Sequence, residues 1–154
     1  MMKKIDLSPN FSKKTRSTKR IKFIIIHYTG MQSLIESIYR LKKISSKVSC
    51  HYLISRKGEI IQMVKENKIA WHAGISKWKN NVNLNECSIG IELENKGHKF
   101  GYQKFANPQI KSLIKLCRSL QKKYRIKAKN FLGHSDIAPL RKKDPGEKFP
   151  WQKL

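Results

Sequence analysis

Two histidines and one aspartate that lie far apart in the chain, His27, His134 and Asp144, carry side chains that bind metal ions. His27 follows the apolar run at residues 21–26, which predicts a buried strand that holds the imidazole at its C-terminal edge. His134 ends a second short predicted strand, and Asp144 follows ten residues later in a loop stiffened by two prolines. Two imidazoles and one carboxylate would leave a tetrahedral zinc ion with one open position, which is typical of a catalytic site.

The carboxylate of this group has a competitor in Asp136. The tripeptide from His134 to Asp136 has the HxD pattern that begins the two-histidine, one-carboxylate iron site of non-heme oxygenases. Such a site usually takes its second histidine well downstream, and no histidine follows His134. The oxygenase interpretation is therefore disfavoured, but spacing alone does not choose between Asp136 and Asp144.

The strongly basic composition bounds the possible partners. The chain of 154 residues fits one domain, and its 34 lysines and arginines against 10 aspartates and glutamates give a formal net charge of +24. Such a surface suits a polyanion, and nucleic acid, an anionic glycan and a membrane surface all qualify. A solvated lysine-rich surface without a partner is the competing interpretation.

The cysteines and the N-terminus bear on the compartment. Cys50, Cys87 and Cys117 are odd in number, show no CxxC spacing and lie in apolar segments, so we expect small core residues in a reducing compartment. The apolar run after the basic N-terminus is too short for the core of a signal peptide, and no segment is long enough to span a membrane. These features favour a cytoplasmic location, with export by another route left open.

The periodicity predicts strands that alternate with helices, which is typical of an α/β or α+β sheet covered by two or three helices. Residues 1–20 show no periodicity, so we expect a basic tail or an arm lying on a domain formed by residues 21–154. The predicted elements are a strand at 21–27, a helix opened by a capping box at Ser33, a hairpin of 50–56 and 59–64, a strand at 88–94 and a helix opened by Asn107-Pro108. In the strand at 88–94, alternation places Glu92 and Glu94 on one face, and one of them could face a site.

Five separate segments resemble the AmpD-like amidase-2 family of N-acetylmuramoyl-L-alanine amidases. They occur in the family's order and are IIIHYT (24–29), SCHYLI (49–54), AWHAG (70–74), SIGIELEN (88–95) and GHSDIAPLRKKDPG (133–146). The resemblance covers residues 24 to 151, which is nearly the whole chain outside the basic N-terminus. It implies the fold shared with T7-type lysozymes and peptidoglycan recognition proteins, in which about three helices flank a central mixed sheet.

The resemblance also implies roles for individual residues. It makes His27, His134 and Asp144 the ligands of Zn²⁺ and leaves Asp136 a structural carboxylate. Glu92 matches the family's general base, and Lys142 matches the cation that stabilises the developing negative charge.

The residue types alone keep several alternatives open. Glu94 could face the site in place of Glu92, and Lys143 could serve in place of Lys142. His72 could touch substrate or pack the loop, and Tyr28 and Trp71 are further candidates for substrate contact. His51 is expected to be structural, and His98 is assigned no role.

The implied activity is hydrolysis of the amide bond between N-acetylmuramic acid, or its anhydro form, and L-alanine of peptidoglycan stem peptides. The substrate could be a recycled anhydro-muropeptide or intact murein. We expect a monomer that binds peptidoglycan or muropeptide and neither binds nucleic acid nor spans a membrane. A noncatalytic peptidoglycan-binding module of the same fold is the alternative, and a nucleic-acid-binding protein lacks support because no known nucleic-acid motif interleaves the basic and aromatic residues.

Overall fold

A central six-stranded sheet organises the protein in the computed structural model, which describes residues 4–154. Residues 1–3, part of the predicted basic arm, lie outside the described residues. The strands are β1 (Lys4–Ile5), β2 (Phe11–Thr15), β3 (Phe23–Tyr28), β4 (Tyr52–Ile54), β5 (Ile60–Gln62), β6 (Lys68–Ala70), β7 (Lys77–Trp78), β8 (Asn81–Val82), β9 (Ser88–Leu93) and β10 (Phe131–Gly133). The α-helices of the described chain are α1 (Leu34–Lys42), α2 (Gly97–Phe100), α3 (Asn107–Tyr124) and α4 (His134–Ile137).

The sheet is mixed, with the strand order β1-β5-β4-β9-β3-β10. Strands β4, β9, β3 and β10 are parallel to their neighbours in this order, whereas β4 and β5 form the predicted antiparallel hairpin. Because parallel strands carry their C-terminal residues to one edge, β3 and β9 bring His27 and Glu92 into register as direct neighbours. The predicted mixed α/β single domain is confirmed, with two long and two single-turn α-helices in residues 4–154.

One face of the sheet packs against α3. The apolar stripe predicted along this helix, which includes Ile110, Leu113, Cys117 and Leu120, is buried against alternate residues of β3, β4 and β9. Every second residue of a strand points to the same face, so the intervening residues of β3 and β9 point away from α3. This leaves His27 and Glu92 on the opposite face.

The opposite face carries two smaller apolar clusters with the polar residues between them. Leu41 of α1 packs with Leu53 and Ile61, while Ile137 of α4 packs with Ile25 of β3. Cys50 and Cys117 lie buried in separate clusters, and Cys87 packs partly buried against a third, as expected for core residues. Helices α1 and α4 therefore border the polar region of this face.

The observed ends of the helices and strands agree with some of the ends predicted from the sequence and differ from others. Ser33 caps α1 as predicted, since its hydroxyl accepts the Glu36 N–H at 3.2 Å. The predicted cap at Asn107 is wrong by one residue, because Ala106 holds the cap position and Asn107 is already helical. Strand β10 ends at Gly133, so His134 opens α4 rather than ending the strand.

Residues 4–20 lie on the domain and contain strands that the sequence pattern did not show. Strand β1 pairs with the sheet edge at β5, and β2 pairs with β6. Arg16 is buried and donates to the carbonyl oxygens of Glu66 and Asn85. The proposed division between an arm at 1–20 and a domain at 21–154 stays a prediction.

Across residues 4–154, the helices lack the length and apolar character that a membrane span requires.

Candidate metal centre and active site

Three ligand atoms converge at the C-terminal edge of the sheet. His27 Nδ1 lies 2.9 Å from His134 Nδ1 and 3.0 Å from Asp144 Oδ2, and His134 Nδ1 lies 3.1 Å from the same oxygen. All three residues are buried, with at most 7% of each exposed. Strand β3, the start of α4 and the loop after α4 each supply one of them. The structure thus brings together the three predicted metal ligands.

The spacing and chemistry of these atoms fit zinc. Ligands about 2.05 Å from a tetrahedral zinc ion are separated from one another by about 3.3 Å, close to the three distances observed. The other nitrogen of His134, Nε2, lies 3.1 Å from the carbonyl oxygen of Ala73, which can only accept. His134 therefore carries its proton on Nε2 and offers the lone pair of Nδ1 to a metal ion.

Electrostatics keep the group in the form that binds a cation. Burial is the largest cause that lowers the pKa of His27 to about 4; the neighbouring His134 lowers it further, and Asp144 opposes both effects. Burial alone would raise the pKa of Asp144, but the interactions with His134 and His27 outweigh burial and hold the pKa below its usual range. A neutral imidazole and an ionised carboxylate are the forms that ligate zinc.

The competing carboxylate, Asp136, has another partner. Its Oδ2 accepts the Gly133 N–H at 2.7 Å, which caps the first turn of α4. Asp136 therefore stabilises the turn that presents His134 and is not in the group of three ligand atoms. The structure thus places Asp144, and not Asp136, beside the two histidines.

Glu92 lies in β9, whereas Glu94 follows the last residue of that strand and has different surroundings. Glu92 lines a cavity of about 420 Å³ together with the three clustered residues, and its Oε2 is buried with no hydrogen-bond partner among residues 4–154. Glu94 instead accepts the Arg56 N–H at 2.7 Å through its own Oε2. Glu92 is therefore the carboxylate that faces the cavity.

The pKa of Glu92 is raised well above its usual value. Burial is the largest cause, and the negative charge of Asp144 adds to it, while the charges of Lys142 and Arg40 oppose it. A carboxyl group whose pKa is raised binds a proton more tightly than an exposed one. Such a group is suited to taking up and releasing a proton during catalysis.

Both lysines of the basic loop, Lys142 and Lys143, line the same cavity. The charge of Lys142 is among the contributions that lower the pKa of Glu92 and of His27. This places its ammonium group within electrostatic reach of the buried acidic and imidazole groups. The choice of Lys142 over Lys143 as the cation of the site stays a prediction.

Two of the predicted substrate contacts, Tyr28 and Trp71, line the cavity. The Tyr28 hydroxyl lies 2.8 Å from Nδ1 of His98, whose Nε2 lies 3.1 Å from Glu147. His98, which the sequence left without a role, therefore links Tyr28 to the C-terminal loop. Contact of Tyr28 and Trp71 with substrate stays a prediction.

His72 also borders the cavity, but it lies behind His27. It is only 8% exposed, and burial, the largest cause, lowers its pKa well below the usual value. Its two ring nitrogens lie 3.0 Å from His27 Nε2 and 3.1 Å from the Ser88 hydroxyl. Contact of His72 with substrate stays a prediction.

His51 is buried, and its Nδ1 accepts the Gly90 N–H at 3.0 Å, which is a structural role.

Several residues of the site were not predicted from the sequence. Arg40 of α1 is among the residues that line the cavity, and Arg141 donates to the carbonyl oxygens of Ala73 and Ile75. Ser88 could have been found, because alternation along β9 places it on the same face as Glu92. Arg40 had no such signal, since a charged residue on an amphipathic helix is normally solvated.

Comparison with known proteins identifies relatives over almost the whole chain. Residues 17–147 match the family model of the N-acetylmuramoyl-L-alanine amidases. The chain is 43% identical to the N-acetylmuramoyl-L-alanine amidase AmiD of Escherichia coli over 147 residues, which cover 88% of this chain and 52% of AmiD. It is 34% identical to the 1,6-anhydro-N-acetylmuramyl-L-alanine amidase AmpD of Haemophilus influenzae, over 95% of this chain and 86% of that protein.

A solved structure of AmiD from E. coli has the same fold. It contains the substrate anhydro-N-acetylmuramic acid-L-Ala-D-γ-Glu-L-Lys and superimposes with a TM-score of 0.79 at 40% identity, covering 92% of this chain and 58% of AmiD. The chain spans about half the length of the E. coli relatives that it matches, at 52% of AmiD and 57% of AmpD. The family resemblance seen in the sequence is confirmed.

Proposed function

Because the chain belongs to the N-acetylmuramoyl-L-alanine amidase family, we propose that it is a zinc-dependent amidase. It would hydrolyse the bond between N-acetylmuramic acid, or its anhydro form, and L-alanine of peptidoglycan stem peptides. The observation that supports this proposal is the Glu92 carboxylate, which has a buried oxygen without a partner in residues 4–154 and shares a cavity with three converging metal-ligand atoms. The anhydro-muropeptide bound to AmiD supports the substrate class.

His27, His134 and Asp144 would hold the zinc ion. When bound, zinc supplies a Lewis acid and lowers the pKa of water from about 15.7 toward about 7. Three protein ligands leave a fourth position open, which distinguishes catalytic from structural zinc sites.

Glu92 would act as the general base and then as the general acid. It takes a proton from the attacking water as the bond from water oxygen to carbonyl carbon forms. It returns that proton to the L-alanine nitrogen as the carbon–nitrogen bond breaks, so the products are a carboxylic acid and a free amine. No described residue hydrogen-bonds to its Oε2, so this oxygen is available for the transfer.

Lys142 would stabilise the negative charge that develops on the carbonyl oxygen in the transition state. A fixed ammonium group in a partly enclosed cavity is effective there, because the low local dielectric strengthens its interaction with the charge. The other basic residues of the cavity, Arg40, Lys99, Arg141 and Lys143, would attract the carboxylates of a stem peptide.

The location and the assembly state rest on sequence expectations alone. A cytoplasmic location and a monomeric state stay predictions. The choice between recycled muropeptide and intact murein also depends on experiment. The anhydro-muropeptide bound to AmiD favours the first substrate, whereas the net charge of +24 favours attraction to an anionic wall polymer.

The test is mass spectrometry of the products. The zinc-loaded protein is incubated with anhydro-N-acetylmuramic acid-L-Ala-D-γ-Glu-L-Lys and, separately, with purified murein, each with and without a chelator. We expect stem peptides with a free L-alanine amine, formed only without the chelator. Cleavage at a different bond would contradict the assigned reaction. Retention of intact substrate on the protein without cleavage would favour the noncatalytic binding module.

A further inference from the structure

A chain of buried polar contacts runs behind the metal centre, from the carbonyl of Leu84 through Ser88 and His72 to His27. We propose that Ser88 and His72 are positioning residues that hold His27 in the tautomer whose Nδ1 lone pair faces the metal ion. This inference rests on the proposed function, since it concerns the ligand set of the same zinc site. It assigns to His72 a task other than substrate contact.

The direction of each hydrogen bond in this series of contacts follows from the Leu84 carbonyl, at the end farthest from the metal centre. The Leu84 carbonyl can only accept, and the Ser88 hydroxyl lies 2.5 Å from it, so the single hydroxyl proton points at Leu84. Ser88 Oγ must then accept from Nε2 of His72 at 3.1 Å. A neutral imidazole has one donor and one acceptor nitrogen, so Nδ1 of His72 is an acceptor.

The tautomer of His27 follows from that of His72. The acceptor Nδ1 of His72 lies 3.0 Å from His27 Nε2, so His27 carries its proton on Nε2. Its Nδ1 is then unprotonated, and this is the atom that lies 3.0 Å from Asp144 and 2.9 Å from His134. Hydrogen bonds to the outer nitrogen commonly fix the tautomer and ring orientation of a metal-ligating histidine.

The surrounding backbone is built to accommodate this arrangement. Gly90 lies directly beneath the His72 ring, and a Cβ atom there would come within 2.3 Å of His72 Cγ. The Asn85 side chain accepts both the His72 N–H at 3.0 Å and the Ala73 N–H at 2.7 Å. The Ala73 carbonyl in turn accepts from Nε2 of His134. The segment of His72 and Ala73, held by Asn85, therefore orients both imidazole ligands.

Substitutions at the two residues test this role through zinc affinity. His72→Phe keeps an aromatic ring but removes the acceptor for His27, and Ser88→Ala removes the acceptor for His72. We expect zinc to bind about 10 to 100-fold more weakly to His72→Phe, as for other partners of metal-ligating histidines, and Ser88→Ala to weaken it by a smaller factor. Competition with a chromophoric chelator measures the dissociation constant.

Ser112→Ala is the matched control. Its hydroxyl also donates to a main-chain carbonyl, that of Gly58 at 2.7 Å, but it lies on α3 on the other side of the sheet. We expect unchanged zinc affinity in this variant. Circular dichroism establishes that each variant is folded before its affinity is compared.

A second measurement needs neither a variant nor turnover. Nitrogen-15 NMR of the zinc-free wild-type protein distinguishes histidine tautomers, and we expect His27 to carry its proton on Nε2. A proton on Nδ1, or wild-type zinc affinity in folded His72→Phe, would overturn the proposal. Failure of the proposed function looks different, because the tautomer and the zinc affinity would be as expected while muropeptides stay intact.

Discussion

Two cavities of this protein each contain a glutamate, and only one of the two carboxylates is fully partnered. The larger cavity, about 920 Å³, surrounds Glu66, which accepts hydrogen bonds from the hydroxyls of Tyr52 and Tyr124 and from Lys123 at 2.6 Å. The smaller cavity, about 420 Å³, contains Glu92, whose buried Oε2 has no partner within the described chain. Cavity size therefore does not mark the chemistry of this molecule.

The pKa values of the two carboxyl groups are shifted in opposite directions. Burial alone would raise the pKa of Glu66, but hydrogen bonds from Lys123 and the two tyrosines outweigh it and lower the pKa. Burial raises the pKa of Glu92, and the charge of Asp144 raises it further. The satisfied carboxylate stabilises the fold, whereas the unsatisfied one is available to exchange a proton.

The largest effect is expected for Asp144→Ala, which removes one of three metal ligands. Zinc affinity and activity should fall together, and the loss of activity should exceed the about 10² to 10⁴-fold expected of one general base. Metal analysis and hydrolysis assays on the same sample measure both. The control is Asp136→Ala, which removes a helix cap and should keep its zinc. Zinc loss in the control alone would exchange the roles of the two aspartates.

Glu92→Gln should separate metal binding from turnover. The amide cannot take up the proton, so kcat/KM should fall by about 10² to 10⁴-fold while zinc binding is retained. Glu94→Gln is the matched control two residues further along the chain and should keep near wild-type activity, because Glu94 accepts a hydrogen bond from the Arg56 backbone N–H. The opposite pattern would make Glu94 the base.

A smaller loss is expected for Lys142→Met, which removes the cation but keeps an apolar stem of similar length. One missing donor to a developing oxyanion lowers kcat by about 10² to 10³-fold. Lys143→Met provides the comparison in the same loop and should change kcat much less. An equal or greater effect at Lys143 would transfer the role to it.

Glu66→Gln should affect stability and leave activity unchanged. Losing the charge of this partnered carboxylate should lower the free energy of unfolding by about 1 to 3 kcal/mol at pH 7, measured by urea denaturation. Because the folded-state pKa lies below the ordinary 4.5, the stabilisation is complete above pH 4.5 and is lost as the pH falls through the folded-state value. The gap between wild type and variant should therefore close in acid. A constant gap would show that ionisation of Glu66 does not stabilise the fold.

The sequence predicted the site better than the periphery, for physical reasons. His27 and Glu92 lie on strands long enough to show a pattern, so the apolar run predicted His27 at a strand end and the alternation left Glu92 and Glu94 as the two candidates for the site. Strands β1 and β2 have no such pattern, and their pairing is non-local, as in the register of Lys4 with Ile61. Strand pairing of this kind depends on the assembled sheet rather than on local propensity.

The roles of chemically similar neighbours needed the structure. Asp136 and Asp144 are both plausible ligands by residue type, and only the folded loop shows that Asp136 caps α4. His72 and Ser88 are 16 positions apart, so their contact behind His27 had no signal in the sequence. Interactions across the sheet thus determine which polar residues act and which support them.

We expect zinc at His27, His134 and Asp144 to be required for amide hydrolysis. The most direct test strips the wild-type protein of metal with a chelator, removes the chelator and titrates zinc back while muropeptide hydrolysis is measured. We predict a rate near zero without metal that rises in proportion to bound zinc and levels off at about one ion per chain. Full hydrolysis by the metal-free protein, or zinc binding that leaves the rate unchanged, would contradict this account.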